Sequence, residues 1–137
     1  MGETRVKALL INAIDEAMAQ SGQLASDQIR KYEADALVDS GAVRSVIPTH
    51  VTQQLGLGIR GQRMAEYADG RKEAVGVTGP VIINIDGRDT LEEALILGDE
   101  VLIGQTVLGK LDLIVDCNNG RVMPNPAHPD QPVTKVK

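Results

Sequence analysis

Three dipeptides punctuate this chain: Asp69-Gly70, Asp86-Gly87 and Asn119-Gly120. A two-residue hairpin turn needs positive φ at its central residues, which Asp or Asn followed by Gly supplies. Each dipeptide therefore predicts that the chain doubles back on itself as antiparallel strands. The flanking residues agree. Gln62–Tyr67 leads into the first turn and Lys72–Val77 leads out. Pro80–Asp86 runs into the second with Val81, Ile83 and Ile85 on one face and Ile82 and Asn84 on the other. Leu113–Cys117 and Arg121–Met123 flank the third. Repeated strands at short spacing, separated by turn signals, read as a compact β barrel or sandwich.

The remaining segments fill in around these hairpins. Over Glu3–Gln20 two periods compete: Val6, Ala8 and Leu10 alternate as in a strand, while Leu10, Ala13, Ile14, Ala17 and Met18 recur at helical spacing. The sequence predicts a strand over Thr4–Ile11, then a loop or short helix to Gln20, with a break at Ser21-Gly22 and a restart at Ser26-Asp27. Tyr32–Asp39 reads as a strand ending on Ala36-Leu37-Val38, followed by a sharp turn at Ser40-Gly41. Val46-Ile47 is a short strand, and Pro48 and Gly56 bracket a short helix over Thr49–Leu55. Leu91–Leu97 continues toward Val101-Leu102-Ile103-Gly104, and Gln105–Leu111 reads as a second short helix. Prolines 124, 126, 129 and 132 keep the tail out of any central strand or helix.

Composition narrows the function. The chain has 137 residues, enough for a single domain around one core, and 42% of them are hydrophobic. Only Tyr32 and Tyr67 are aromatic, so the core must be aliphatic. A net charge of −5, with no basic block, argues against nucleic acid as a partner. No apolar run is long enough for a membrane span, Met1–Lys7 is not a signal sequence, and Cys117 is alone. These features lead us to expect a soluble, cytoplasmic protein.

The segment that can carry chemistry is Ala36-Leu37-Val38-Asp39-Ser40-Gly41-Ala42. An acid follows three apolar residues and precedes a turn. Read alone, Asp39 is as well explained as the cap of that turn. Other candidates are weaker. His50 and His128 read as surface histidines, with no paired His or Cys to make a metal site. Asp112 and Asp116 read as solvated strand residues, and Cys117 as a buried, inert thiol. Ser40 and Ser45 have no His partner that spacing identifies. Met64 reads as core or flap packing, and Tyr67 as a substrate contact or a cover for its own hairpin. Gly56-Leu57-Gly58 lacks the helix pattern of a phosphate loop.

The longer segment Ala36–Pro48 resembles the catalytic loop of retropepsin-like aspartic peptidases: apolar residues, Asp, Ser, Gly, Ala, then Ser45 and the apolar pair Val46-Ile47. Val101-Leu102-Ile103-Gly104 is similar to the family's second motif, with Gly104 65 residues beyond Asp39. Between them, Ala68-Asp69-Gly70-Arg71 stands where the family has the tip of its flap hairpin. The resemblance spans Arg30–Asn125. It implies an all-β fold, a closed retropepsin-like barrel with one or two short helices, as the single-lobe subunit of a twofold dimer. It divides residues 1–137 into one peptidase domain with an N-terminal extension, 1–30, and a proline-rich tail, 124–137.

The resemblance also implies a mechanism. Two nearby carboxylates cannot both ionise, so they share a proton, one acting as base toward water and the other as acid toward the peptide carbonyl. One chain has one Asp-Ser-Gly, so Asp39 from two copies would form the dyad, without metal or cofactor. Ser40 would bond across the twofold axis and Gly41 would permit the turn. Ala42, Leu102 and Ile103 would line the cleft, and Ala68, Asp69, Gly70 and Arg71 would close over a peptide or protein substrate. The chain departs from many viral members in two places: Gln105 stands where they have Arg after the second-motif Gly, and Val43 where they have that Arg's acidic partner. Losing both together leaves no unpaired charge, and brings the chain nearer the cellular and prokaryotic branches. Two readings stand beside an endopeptidase: a dimerisation or peptide-binding module on the same fold, and a structural β domain in which Asp39 caps a turn.

Overall fold

A computed structural model describes residues 3–136. Residues 1, 2 and 137 of the expected domain lie outside the described residues. The strands are β1 (Thr4–Asn12), β2 (Lys31–Val38), β3 (Val46–Ile47), β4 (Ile59–Glu66), β5 (Lys72–Thr78), β6 (Val81–Ile85), β7 (Arg88–Glu92), β8 (Leu95–Ile96), β9 (Leu102–Ile103), β10 (Leu113–Asp116) and β11 (Arg121–Pro124). Three short helices interrupt them: α1 (Ala13–Gln20), α2 (Thr49–Gln54) and α3 (Gln105–Leu111). The sequence led us to expect one or two. The third is α1, where the strand and helix periods competed. Asn12 resolves the competition: its side-chain oxygen accepts the Asp15 N–H at 3.0 Å, an N-cap that starts the helix where β1 ends.

Nine strands form one curled sheet in the order β4-β5-β8-β3-β9-β2-β1-β6-β7, with β4 and β7 at its edges, and β10-β11 form a separate ribbon. One side of the sheet and the helices enclose an aliphatic core. Leu10, Ile47, Leu55, Ile83, Ile85, Ile103 and Leu111 are all fully buried. Each such side chain contributes roughly 1.5–3 kcal/mol, which is how a core without buried aromatic rings suffices.

The segment read as an N-terminal extension begins with the expected strand and is part of the sheet. β1 lies inside the sheet, pairing antiparallel with β2 (Thr4 to Ile11 against Val38 to Lys31) on one side and β6 on the other. The link from α1 to β2 is also tied down. Buried Asp15 accepts from the Arg30 backbone N–H at 3.0 Å and from its guanidinium at 2.8 and 3.0 Å. The Arg30 bonds hold the Asp15 carboxyl below the usual carboxylate range despite burial.

The three turns differ from one another. Asp86-Gly87 is the expected two-residue turn, with φ of 54° and 81°. At Asp69-Gly70 only Gly70 has positive φ, 86°. There the Gly70 N–H donates to the Tyr67 carbonyl (2.9 Å) and the Tyr67 N–H to the Arg71 carbonyl (2.8 Å), so the loop is three residues long, Ala68 to Gly70. Asn119-Gly120 closes a four-residue loop that begins at Cys117. Cys117 is therefore an exposed thiol rather than a buried strand residue.

Candidate active site

The Asp39 loop is held from beneath by segments remote in sequence. β9 slots between β2 and β3, pairing parallel with Leu37 and Val38 and antiparallel with Val46. The Ile103 carbonyl accepts the Asp39 N–H at 3.0 Å. Immediately beyond, α3 opens against the loop: the Gln105 and Thr106 N–H groups donate to the Ala42 (2.8 Å) and Val43 (3.1 Å) carbonyls. The first N–H groups of a helix have no partner within it, and Gly104 brings no capping side chain. Here the loop carbonyls satisfy them. Buried Ser45 completes the floor, its Oγ accepting the Gly104 N–H at 3.0 Å.

Gly104 is needed for closeness rather than for an unusual backbone angle, since its φ is −100°. A Cβ there would stand 2.7 Å from both the carbonyl carbon and oxygen of Arg44, and 2.9 Å from the Ala42 oxygen. Within the loop, Asp39 Oδ1 accepts the Gly41 N–H at 2.9 Å, and the Gln105 side-chain amide donates to the Ser40 carbonyl.

Asp39 is exposed, and it opens onto a groove of about 580 Å³. Gly41, Ala42, Val43, Arg44 and Val46 line it, together with Leu95 and Leu97 and with Met64 to Ala68 of the β4–β5 hairpin. Val43 is 61% and Met64 65% exposed, so two large apolar side chains face the groove instead of the core. Arg44 is anchored by donating to the Glu93 carbonyl at 2.8 Å. Tyr67 both lines the groove and braces its hairpin: its hydroxyl donates to Glu73 at 2.7 Å and Arg71 stacks 4.4 Å from its ring centre. The Glu73 bond raises the Tyr67 pKa above its ordinary value.

Asp39, Gly41, Ala42 and Ala68 thus meet around one groove, whereas Ser40 is absent from its lining. Asp69, Gly70 and Arg71 are exposed at the hairpin tip and do not line it. Leu102 and Ile103 are also absent from the lining. Ile103 is fully buried, and its contribution is the carbonyl beneath Asp39. Leu95 and Leu97 line it instead; Leu95 is brought there by the parallel pairing of β8 with β3, which the sequence did not disclose.

The remaining candidates fall elsewhere. His50 is exposed on α2. Asp112 is no solvated strand residue. It ends α3 with φ 55° and binds the Asn125 side chain (3.1 Å), His128 Nδ1 (2.6 Å) and the Val133 N–H (3.1 Å). These bonds, the Asn125 amide foremost, hold its carboxyl below the usual range. Asp116 accepts from Asn119 and Arg121. Among the described residues no group of three or more His, Cys, Asp or Glu converges as a metal site, and no helix is long and apolar enough to cross a membrane.

The sheet order, the Asp39 loop resting on β9 and α3, and the exposed hairpin define a retropepsin-like fold. Solved structures that share it include two of known name. One is the retroviral protease-like domain of Ddi1 from Leishmania major, similar over 92% of this chain and 90% of that chain, with a TM-score of 0.56 and 16% identity. The other is EIAV protease complexed with the inhibitor HBY-793, similar over 78% of this chain and 86% of that chain, with a TM-score of 0.53 and 21% identity. No protein-family model and no curated protein matches the sequence.

Proposed function

We propose that this chain is one subunit of an aspartic endopeptidase, in which Asp39 and the same residue of a second copy form the catalytic dyad. The observation that carries this reading is the position of Asp39: an exposed carboxylate on a loop fixed by β9 and α3, at a groove that an exposed hairpin also lines. Its Oδ1 takes a backbone N–H, and among the described residues Oδ2 takes none. A substrate strand would lie along the groove with apolar side chains against Val43, Val46, Leu95 and Leu97. One carboxylate of the dyad takes a proton from water as the water attacks the scissile carbonyl carbon. The other gives its proton to the carbonyl oxygen, and collapse of the tetrahedral diol then breaks the C–N bond as the amine is protonated.

A lone subunit supplies one carboxylate, which sets the test. Asp39→Asn should fold as wild type and fail to cleave casein. Wild-type chains mixed and refolded with excess Asp39→Asn chains should lose activity, because most then sit in dyads with one carboxylate. Wild-type activity that stays proportional to wild-type subunits, with exchange verified by native mass spectrometry, would refute the two-copy site. Cleavage by pure Asp39→Asn would remove Asp39 from the mechanism.

A further inference from the structure

We propose that Gln105 is a positioning residue for Asp39, acting through the single peptide plane between Ser40 and Gly41. The inference rests on the peptidase reading for its catalytic consequence and on geometry alone for its structural one. The Gln105 side-chain amide donates to the Ser40 carbonyl, and the N–H at the other end of that same peptide unit, on Gly41, donates to Asp39 Oδ1 at 2.9 Å. A peptide unit is planar and rigid, so fixing its carbonyl fixes the direction of its N–H. The Ser40–Gly41 plane could otherwise rotate, since the loop here is exposed and Gly41 is conformationally free.

Among the described residues, Gln105 supplies the one hydrogen bond that a side chain from outside the loop makes to the backbone of Asp39–Val43. The other external bonds, from Gln105 and Thr106 N–H to Ala42 and Val43, fix the far end of the loop, and the Ile103 carbonyl fixes its start. The Ser40–Gly41 plane lies between these anchors and depends on the Gln105 side chain. Gln105 itself is rooted at the first turn of α3, whose Val107, Leu108 and Leu111 are buried in the core. Hydrogen bonds in series also polarise one another, so a donor on the Ser40 carbonyl strengthens the bond Gly41 makes to the carboxylate.

Gln105→Met keeps length and removes the donor. Gln105→Arg restores one, because arginine Nε is as many bonds from Cα as glutamine Nε2. With the hydrogen bond lost, amide exchange at Gly41 should rise about tenfold and kcat should fall about tenfold with KM within about twofold. Gln105→Arg should recover both. Exchange at Gly41 is read by NMR on the folded full chain and needs no catalysis. If wild type proves inactive, the peptidase reading fails while Gly41 exchange still decides the role of Gln105. Unchanged Gly41 exchange in Gln105→Met, or unchanged kcat in an active enzyme, overturns the inference. So does Gln105→Arg behaving like Gln105→Met.

Discussion

Two glycines five residues apart, Gly104 at the start of α3 and Gly109 within it, should answer the same substitution with opposite signs. At Gly104 an alanine Cβ would meet three backbone atoms of the Asp39 loop at 2.7, 2.7 and 2.9 Å. Ordinary carbon contacts lie at about 3.5–4.0 Å, so loop and helix must separate by most of an ångström. That separation breaks or lengthens three hydrogen bonds: Gly104 N–H to Ser45 Oγ, and the Gln105 and Thr106 N–H groups to Ala42 and Val43. At about 1 kcal/mol each, Gly104→Ala should cost about 3 kcal/mol, at the upper end of overpacking penalties. Gly109 is the control. It lies within the same helix, and a Cβ there meets nothing within 4 Å. Gly109→Ala should stabilise by about 0.5–1 kcal/mol, through helix propensity and a less flexible unfolded chain. Urea denaturation of all three proteins at one fixed concentration measures the difference. Gly104→Ala within about 0.5 kcal/mol of wild type would refute the close approach of loop and helix.

Two further outcomes follow from the turn and the tail. Gly70 has φ 86° and open space where a Cβ would go, so Gly70→Val should strain only the exposed hairpin tip, by about 1–2 kcal/mol; turnover should fall several-fold while the urea midpoint moves little, and a global loss of stability with no selective loss of turnover would place the hairpin in the core. The Asp112 carboxyl is depressed below its ordinary value, so its stabilising bonds are intact above the unfolded carboxylate pKa of about 4 and are lost as pH falls through the lower folded value; Asp112→Asn should therefore destabilise most at neutral pH and progressively less toward pH 2, and a pH-independent difference would exclude the linkage.

What the sequence disclosed and what it withheld divide along range. The Asp39 turn, the β6–β7 hairpin and α3 are local, written in residues next to one another, and each appears where the sequence puts it. The β4–β5 turn misled because Asp-Gly also suits a three-residue loop, in which only the glycine needs positive φ. Leu102 and Ile103 misled for a different reason. An apolar pair before a glycine looks equally suited to a cleft wall and to a strand paired on both edges, and β9 pairs with both β2 and β3, which buries Ile103 fully and leaves Leu102 half-buried. The hub at Asp112 was invisible because its partners Asn125, His128 and Val133 come from the tail, whose prolines exclude regular structure but say nothing of where it docks.

The floor beneath Asp39 has a consequence for the chain during its synthesis. Asp39 and its flanking strand leave the ribosome before β9 and α3, and β1 with β2 can pair as soon as Val38 has emerged. The carbonyl that receives the Asp39 N–H and the helix start that receives the loop arrive only with Ile103 to Thr106. Until then the loop is an untethered turn, and closing it means joining segments distant along the chain, a step whose entropy cost is met late. From the emergence of Asp39 until that of Gln105, the nascent chain therefore carries its acidic residue without the means to aim it.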